Sequence, residues 1–293
     1  MGITRGADPL EKLDAVTFDR FLAAADLFGS QEPTINLQGL KFVSPAGMVQ
    51  LAAACHALAE GGKRPLMAVD DPGVRSYLVR AGFITVVSPA SRIEPALASS
   101  DVEKYMAAKG SNPMLVEVTK IEVGSELPHL LDRIVAVLRD RLKYRKVDAF
   151  DVAVAVSEIC QNTFDHNEAP CGFIAVQVYG RGQNRFLEIG VADYGSGLAH
   201  TLRRNPKNPS FGDDMEAIRL ATRPGVSEHD DPTRGNGLYR MMEIAFEHRG
   251  AVQIRSGDAK VRFRMDKRQG WAFPVPWMPG VQVALNLPAR QRA

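Results

Sequence analysis

Residues 157–166, SEICQNTFDH, carry three polar side chains at three- and four-residue spacing: Glu158, Asn162 and Asp165. Side chains at this spacing project from one face of a helix on consecutive turns. The preceding stretch, VDAFDVAVAV, is almost wholly apolar or small, which is typical of a helix packed on a sheet. Because a buried face does not tolerate unpaired carboxylates, these groups either cap, pair or face solvent, or they line a polar site.

The composition predicts a folded, cytoplasmic protein. The 293 residues are 45% hydrophobic and 24% charged, enough for one large domain or two ordinary ones, and the net charge of +2 does not indicate a nucleic-acid partner. Cys55, Cys160 and Cys171 lack CxxC spacing, which favours a reducing cytosol over disulfides or a zinc site. No apolar run approaches the roughly 18 residues of a membrane helix, and no signal pattern opens the chain, so we expect no membrane contact.

The first hundred residues alternate between helix and strand patterns. A helical pattern over residues 9–29 is followed by the strand TINLQGLKFV, a helix from Ser44-Pro45 to Gly61-Gly62, the strand PLMAVD, the helix VRSYLVRAG and the strand ITVV. This order predicts a compact α/β domain at residues 1–100. A stretch rich in Ser, Ala and Pro follows, and we expect a linker at residues 101–113.

Residues 114–293 form the second predicted domain. Its pattern is a strand (MLVEVTKIEV), two helices (LPHLLDRIVAVLRDRL and the helix ending at SEICQNTFDH), and a strand hairpin (GFIAVQVYG and RFLEIGVADYG). A polar, Pro- and Gly-containing segment at about 199–234 is typical of a mobile lid around one short helix, DDMEAIRLAT. The helix GNGLYRMMEIAFEHRG and the strands AVQIRSG, KVRFRMD and VQVALNLP close the chain.

Two glycine motifs stand at element boundaries. Asp193-Tyr-Gly195-Ser-Gly197 comes where a strand ends, and Gly235-Asn-Gly237-Leu238 comes where a helix begins. Either motif alone indicates only turn geometry or tight packing. In this order, with a carboxylate-and-amide helix before them and a polar segment between them, they favour a nucleotide site.

The residue types suit that site. Asp193 can accept a hydrogen bond from an adenine amino group, and the glycine-opened helix N-terminus can bind phosphate through its N–H groups. Asn162 offers a neutral oxygen for Mg²⁺, which uses few protein ligands beside phosphate and water. Glu158, one turn before it, could orient or deprotonate the attacking nucleophile.

These motifs resemble those of the GHKL ATP-binding fold, shared by gyrase-type ATPases, heat-shock chaperones, sensor histidine kinases and the anti-sigma-factor serine kinases. The resemblance covers residues 114–288, with an N-box at Glu158-x-x-x-Asn162 and the two glycine motifs as the adenine and lid-closing motifs. It implies a two-layer α+β sandwich of Bergerat type, with ATP and Mg²⁺ as cofactors. It further implies that Asn162 binds Mg²⁺, Asp193 binds adenine, Gly235 and Gly237 lie under the phosphates, and Glu158 is the general base.

Some positions resemble particular branches of this fold. His166 stands where anti-sigma kinases often carry His, whereas Asp165 is similar to gyrase-type ATPases; each could equally be a polar helix end. Gly280 resembles the closing glycine of the family, but Val281 replaces the usual Thr. A sensor histidine kinase fits badly, because a single helix precedes the N-box and its His129 has a capping or solvent-facing context.

Residues 33–88 resemble the STAS fold of anti-sigma-factor antagonists. The loop that carries Asp-Ser-Ser/Thr-Gly in that family is Ser44-Pro45-Ala46-Gly47 here, so neither central residue has a hydroxyl. Ser44 is better interpreted as a helix cap than as a phosphosite. The resemblance implies a degenerate STAS-like module that binds a partner or acts as a scaffold.

Three functions remain open from the sequence. The first is a cytosolic serine/threonine protein kinase of the anti-sigma type, acting in partner switching on a STAS-domain protein or sigma factor. The second is an ATP-hydrolysing conformational switch in which lid closure changes a homodimer or partner interface. The third is a regulator that binds nucleotide without turnover.

Overall fold

The computed structural model describes residues 10–107, 115–121, 127–165, 172–226, 236–264 and 269–290. None of its described helices is long and apolar enough to cross a membrane.

The N-terminal part of the chain is built from short strands and helices. Its strands are β1 (Lys12–Leu13), β2 (Thr34–Asn36), β3 (Phe42–Val43), β4 (Leu66–Ala68) and β5 (Arg92–Glu94). Its helices are α1 (Phe18–Ala25), α2 (Pro45–Glu60), α3 (Pro72–Arg80), α4 (Phe83–Val87) and α5 (Ser99–Ala107). Strands β2, β4 and β5 form a parallel sheet in the order β2-β4-β5, and β1 pairs in parallel with β3.

The C-terminal part is built around one antiparallel sheet. Its strands are β6 (Leu115–Ile121), β7 (Gly172–Tyr179), β8 (Phe186–Asp193), β9 (Ala251–Arg264) and β10 (Gln269–Pro288), in the order β6-β7-β8-β10-β9. Its helices are α6 (Leu127–Asp140), α7 (Lys146–Asp165), α8 (Gly197–Arg203), α9 (Asp214–Ala221) and α10 (Gly237–Glu247). The predicted mixed α/β class and the predicted hairpin of β7 and β8 are confirmed.

The sheet is buried on both faces. Side chains alternate along a strand, so each strand contributes one set of residues to each face. The inner face carries large aliphatic residues, including Ile174, Val176, Ile189 and Val283, and these join one core with α6, α7 and α10. The outer face joins a second core, in which Phe173, Ala175, Ala192 and Met278 pack with residues of the N-terminal part.

Helix α2 covers the outer face and packs on β7 and β8. Small residues permit this close approach: a Cβ on Gly190 would stand only 2.7 Å from the Cα of Ala46 at the start of α2. A glycine inside a strand is typical of such a contact between backbones. The two predicted domains therefore share a core, while the linker at residues 101–113 stays a prediction.

The start of α2 is buried against the sheet. Ser44 is the predicted cap, and its Oγ accepts a hydrogen bond from the N–H of Gly47 at 3.3 Å. Glu188 of β8 accepts from the N–H of Ala46 at 3.1 Å. Burial raises the pKa of the Glu188 carboxyl, while bonds from Ser44 and Ala46 lower it in part. Ser44 is only 1% exposed, so this loop is closed to a phosphorylating enzyme in this conformation.

One predicted strand is wrong. The run ITVV lies in helix α4, although its β-branched residues favour strands. Phe83, Ile84 and Val87 are buried, and positions three and four apart share a helical face. Burial of that face in the N-terminal core overrides the local preference for a strand.

Where the sequence predicts three final strands, the structure has two long ones, β9 and β10. AVQIRSG and the described part of KVRFRMD, which ends at Arg264, are continuous in β9, because Gly257 has φ +60° at an irregularity where the pairing with β10 shifts between Met278 and Val281. A bulge with a left-handed glycine lets a strand continue through a change of register. The sequence also did not predict that residues 269–280 extend β10, or that α5 lies across the expected linker boundary.

Candidate functional site

Helix α7 presents the two N-box side chains from adjacent turns. Ile159 and Cys160 are buried in the inner core and fix the rotation of the helix, while Glu158 and Asn162 remain half-buried. The Thr163 Oγ donates to the carbonyl of Cys160 at 2.7 Å, which satisfies that hydroxyl inside the helix. Glu158 and Asn162 therefore share the stripe that their four-residue spacing predicts.

Asp193 ends β8 and is held by backbone groups. Its Oδ1 accepts from the N–H of Gly195 at 2.9 Å and from the N–H of Val281 at 3.1 Å. Burial raises the pKa of the Asp193 carboxyl to about 6, although these two bonds lower it in part. Within the described parts of the chain no group bonds Oδ2, so the carboxylate keeps an acceptor for a ligand.

One cavity brings four of the eight predicted site residues together. Asn162, Asp193, Gly197 and Leu238 line it, with apolar walls from Ile159, Val191, Leu198, Val281 and Val283 and hydroxyls from Thr163 and Thr201. An apolar pocket with a few converging polar groups is typical of a small-molecule site. Its volume of about 50 Å³ is far below the roughly 300 Å³ of common ligand pockets, so a purine must widen it.

Glu158 lies outside this lining but contacts the lid-closing motif. A Cβ on Gly237 would stand 3.1 Å from the Cβ of Glu158 and 3.3 Å from its Oε2. Burial raises the pKa of Glu158, and the positive charge of Arg240 lowers it in part. Arg240 itself pairs with Asp151 at 3.2 Å and with Glu243 at 3.0 Å.

The N-cap residue of α10, Asn236, does not cap the helix with its own side chain. Asn236, at the cap position, uses its Oδ1 to accept from the N–H of Gly225 at 3.1 Å. Among the described residues, no side chain accepts from the first N–H groups of α10, as expected where a helix binds an anion. The same bond joins this motif to the described end of the predicted lid, whose Ala217 and Ile218 in α9 are buried in the inner core.

The other predicted residues have the following places. Gly197 begins α8 with φ +79°, and Gly195 lies in the turn before it. Gly235 and His166 lie outside the described residues, as does the side chain of Asp165. His129 is exposed at the start of α6.

Sequence reasoning missed Ser256 and Gln282, two buried polar residues beside the site. Ser256 Oγ accepts from the N–H of Leu198 at 2.9 Å and holds the start of α8, while Gln282 donates to the carbonyl oxygen of Asp193 at 3.1 Å. Neither residue belongs to a motif. In the sequence each resembles the other polar residues of its strand, so no signal singles it out.

The cavity fits a magnesium nucleotide in its donor chemistry. No group of three or more His, Cys, Asp or Glu residues in the described chain could hold a metal alone. Mg²⁺ bound to a nucleotide needs few protein ligands, because phosphate and water oxygens complete its octahedron. The amide oxygen of Asn162, at the cavity wall, is a suitable single ligand.

Of the comparisons with known proteins, a match to a family model concerns the C-terminal part. Residues 125–267 match the family model described as a histidine kinase-like ATPase domain. A solved structure titled "Mycobacterial sensor histidine kinase MprB" is 17% identical over 57% of this chain and 96% of that chain, but its TM-score of 0.30 carries no argument. No curated protein matches the sequence at a significant level. Residues 125–267 of this chain are therefore similar to a histidine kinase-like ATPase domain.

Proposed function

We propose that this protein is an ATP-binding regulatory protein that transfers the γ-phosphoryl group of ATP to a serine or threonine of a protein partner. The observation that carries the proposal is the shared cavity of Asn162 and Asp193, within a domain of the ATPase family. The acceptor of Asp193 suits the adenine amino group. The N-terminus of α10, which no described side chain caps, suits the phosphates.

Glu158 is the proposed general base. Its carboxylate is half-buried, its pKa is raised by burial, and it lies against Gly237 at the proposed phosphate end of the site. Burial moves the pKa of this carboxyl toward the pH of the reaction. A general base with such a pKa accepts a proton more readily while it still remains ionised before the step. In the proposed step Glu158 takes the hydroxyl proton, the hydroxyl oxygen bonds to the γ-phosphorus, and ADP leaves. Mg²⁺, held by Asn162, would neutralise phosphate charge.

The phosphate acceptor is on another protein. Ser44 is buried under Glu188, and Pro45 and Ala46 have no hydroxyl. We therefore propose a separate STAS-domain protein or sigma factor as the partner, in a cytoplasmic partner-switching pathway. The degenerate STAS-like part, residues 1–100, serves as a scaffold for the ATPase domain, residues 114–293. A homodimer is compatible with this proposal.

A second candidate is an ATPase that acts as a conformational switch. The bond between Asn236 and Gly225 favours it, because this bond ties the lid-closing motif to the segment that precedes residue 227. A nucleotide that widens the cavity next to Leu238 would act on this tie. Water would then replace the protein hydroxyl as the nucleophile, with Glu158 again as the base.

The test is incubation with Mg²⁺ and γ-labelled ATP, with and without cell lysate, following free phosphate and labelled protein. Glu158→Gln is the test variant, and Glu247→Gln, an exposed carboxylate on α10, is its matched control. Label on a lysate protein with wild type and Glu247→Gln only would support the kinase. Free phosphate without labelled protein would favour the switch, and bound but unconsumed ATP would favour a non-catalytic regulator.

A further inference from the structure

A chain of buried polar side chains runs from α1 to Asp193. Asp19 of α1 accepts from Nε of Arg255 on β9 at 3.1 Å, and it also pairs with Lys260. Arg255 Nη1 donates to Oε1 of Gln282 on β10 at 3.1 Å. Gln282 Nε2 donates to the carbonyl oxygen of Asp193 at 3.1 Å. The N-terminal part of the chain is thus hydrogen-bonded to the proposed adenine residue through two side chains.

Arg255 fixes which way Gln282 points. A guanidinium only donates hydrogen bonds, so the amide of Gln282 must turn its oxygen to Arg255. The amide nitrogen is then left for carbonyl oxygens, and it donates to Pro279 at 2.8 Å as well as to Asp193. Asp19 and the carbonyl of Pro276 hold the rest of the guanidinium. Each of the three guanidinium nitrogens therefore has a hydrogen-bond partner, and the one that faces Gln282 sets the orientation of its amide.

The same part of β10 grips Asp193 from several sides. Gln282 holds its carbonyl oxygen, and the N–H of Val281 holds its Oδ1. Gly280 lies so close that a Cβ there would be 2.2 Å from the carbonyl oxygen of Asp193. A small shift of residues 279–282 would therefore move the carboxylate that faces the cavity.

Stability alone is a weak reason for such a chain. Arg255 is only 1% exposed, and burying a charge pair usually costs as much as it returns compared with apolar residues of similar volume. These hydrogen-bonded side chains instead provide a fixed geometry at Asp193, where the amino group of a ligand needs an acceptor at one place.

We infer that Gln282 and Arg255, held by Asp19, are positioning residues for adenine recognition, and that α1 is thereby part of the scaffold of the nucleotide site. This inference rests on the proposed ATP-binding function. The inferred role of these hydrogen-bonded side chains concerns the adenine end of the ligand and not the phosphate end.

The test compares the affinities of Mg-ATP and Mg-tripolyphosphate, a probe without adenine, by titration calorimetry of the full chain. Gln282→Glu keeps the side-chain shape and the acceptor for Arg255 but loses both donors. We expect it to weaken ATP binding at least about tenfold, because Asp193 loses its hold, and to leave tripolyphosphate binding within about twofold. An equal loss for both probes, or unchanged ATP affinity, would overturn the inference.

Gln253→Glu is the matched control. Like Gln282, Gln253 is a buried glutamine, but it lies on β9. Its side chain donates to the carbonyl oxygen of Ala15 in the N-terminal part and to no residue of the site. Its substitution should not change the ratio of the two affinities. A change in that ratio as large as for Gln282→Glu would mean that general loosening is responsible, and it would reject the positioning role.

Arg255→Lys is the second variant, should Gln282→Glu not fold. It keeps the charge beside Asp19 but removes the fork that orients Gln282, so the same selective loss of ATP affinity is expected, and equal loss of both probes would overturn the inference. Failure of the proposed function has a different signature. Wild-type protein would then bind no ATP, whereas failure of the positioning role alone leaves wild-type binding intact and the ratio unchanged in the variants.

Discussion

Glu158 and Gly237 lie in direct contact, with the carboxylate of the proposed base against the first residue of α10. The contact is tight, since a Cβ on Gly237 would be 3.1 Å from the Cβ of Glu158 and 3.5 Å from Cγ1 of Ile159. Helices α7 and α10 thus meet where the first motif faces the third. The proposed base and the proposed phosphate-binding N–H groups are thereby brought together by the packing of these two helices.

Gly237→Ala should weaken ATP binding about tenfold while the protein stays folded. The added methyl group pushes Glu158 away from the N–H groups of α10, but alanine also favours helix by up to about 1 kcal/mol, so the change in stability should be small. Calorimetric titration and thermal unfolding give the two readings. Gly212→Ala is the control, because its Cβ would meet nothing closer than 3.6 Å. Unchanged ATP affinity would contradict the need for a bare residue here.

Adenine binding should weaken as the pH falls through about 6. The raised pKa of Asp193 means that its carboxylate gains a proton in this range and loses its accept-only character. Between pH 7 and pH 5 the ratio of ATP to tripolyphosphate affinity should fall about tenfold, as the ionised fraction does. Both ligands share the titrating phosphates, so the ratio isolates Asp193.

Asp193→Asn is the control for this pH dependence. Its ratio of ATP to tripolyphosphate affinity should be low and flat from pH 5 to pH 7, and a slope like that of wild type would assign the titration to another group.

The stability of the fold should change with pH in the opposite direction to adenine binding. Because the folded state holds this proton more tightly than the unfolded state, Asp193 contributes stability that increases as the pH falls from about 6 toward 4.

The sequence predicted the site through periodicity and order. The four-residue spacing of Glu158 and Asn162 sets them on one helix face, and the glycines after Asp193 predict a turn where that strand ends, which is the end of the central strand β8. These are local features, and local geometry follows from spacing.

The covering of the outer face could not be predicted in the same way. Arg255 in AVQIRSG has the pattern of a solvent-facing residue, yet it is buried because Asp19, 236 positions earlier, pairs with it. Gly190 has no side chain to signal that Ala46 packs on it. Such contacts depend on how distant segments meet, which neither propensity nor alternation encodes.

Asn162→Ala should remove the contribution of Mg²⁺ to ATP affinity. The variant should bind ATP equally with magnesium and with excess chelator, whereas wild type should bind more tightly with magnesium, because the amide oxygen is the proposed protein ligand. Gln161→Ala, an exposed neighbour on the same helix, is the control. If magnesium strengthens ATP binding to the Asn162 variant as much as to wild type, the assignment of this ligand is wrong.

Gly280→Ala should destabilise the protein more than Gly62→Ala. Both glycines have left-handed φ angles, +83° and +75°, so replacing either with alanine should lower the free energy of unfolding by about 1 kcal/mol. Only Gly280 also has a clash, because its Cβ would be 2.2 Å from the carbonyl oxygen of Asp193, whereas nothing lies within 4 Å of the Cβ on Gly62. The clash should add about 1–3 kcal/mol in denaturant unfolding. An equal loss of unfolding free energy in the two variants would show that β10 can move away from Asp193 without a penalty.

Residues 114–293 expressed alone should aggregate or unfold below the melting temperature of the full chain. Without the N-terminal part, Phe173, Ala175 and Met278 of the outer face would be exposed to water, and apolar surface of this kind drives association. Co-expression with residues 1–113 should restore a soluble complex. The full chain cut at a protease site inserted between residues 108 and 113 is the control, because its two pieces should elute together in gel filtration. A monomeric fragment that melts as sharply and as high as the full chain would mean that the outer face does not need α2.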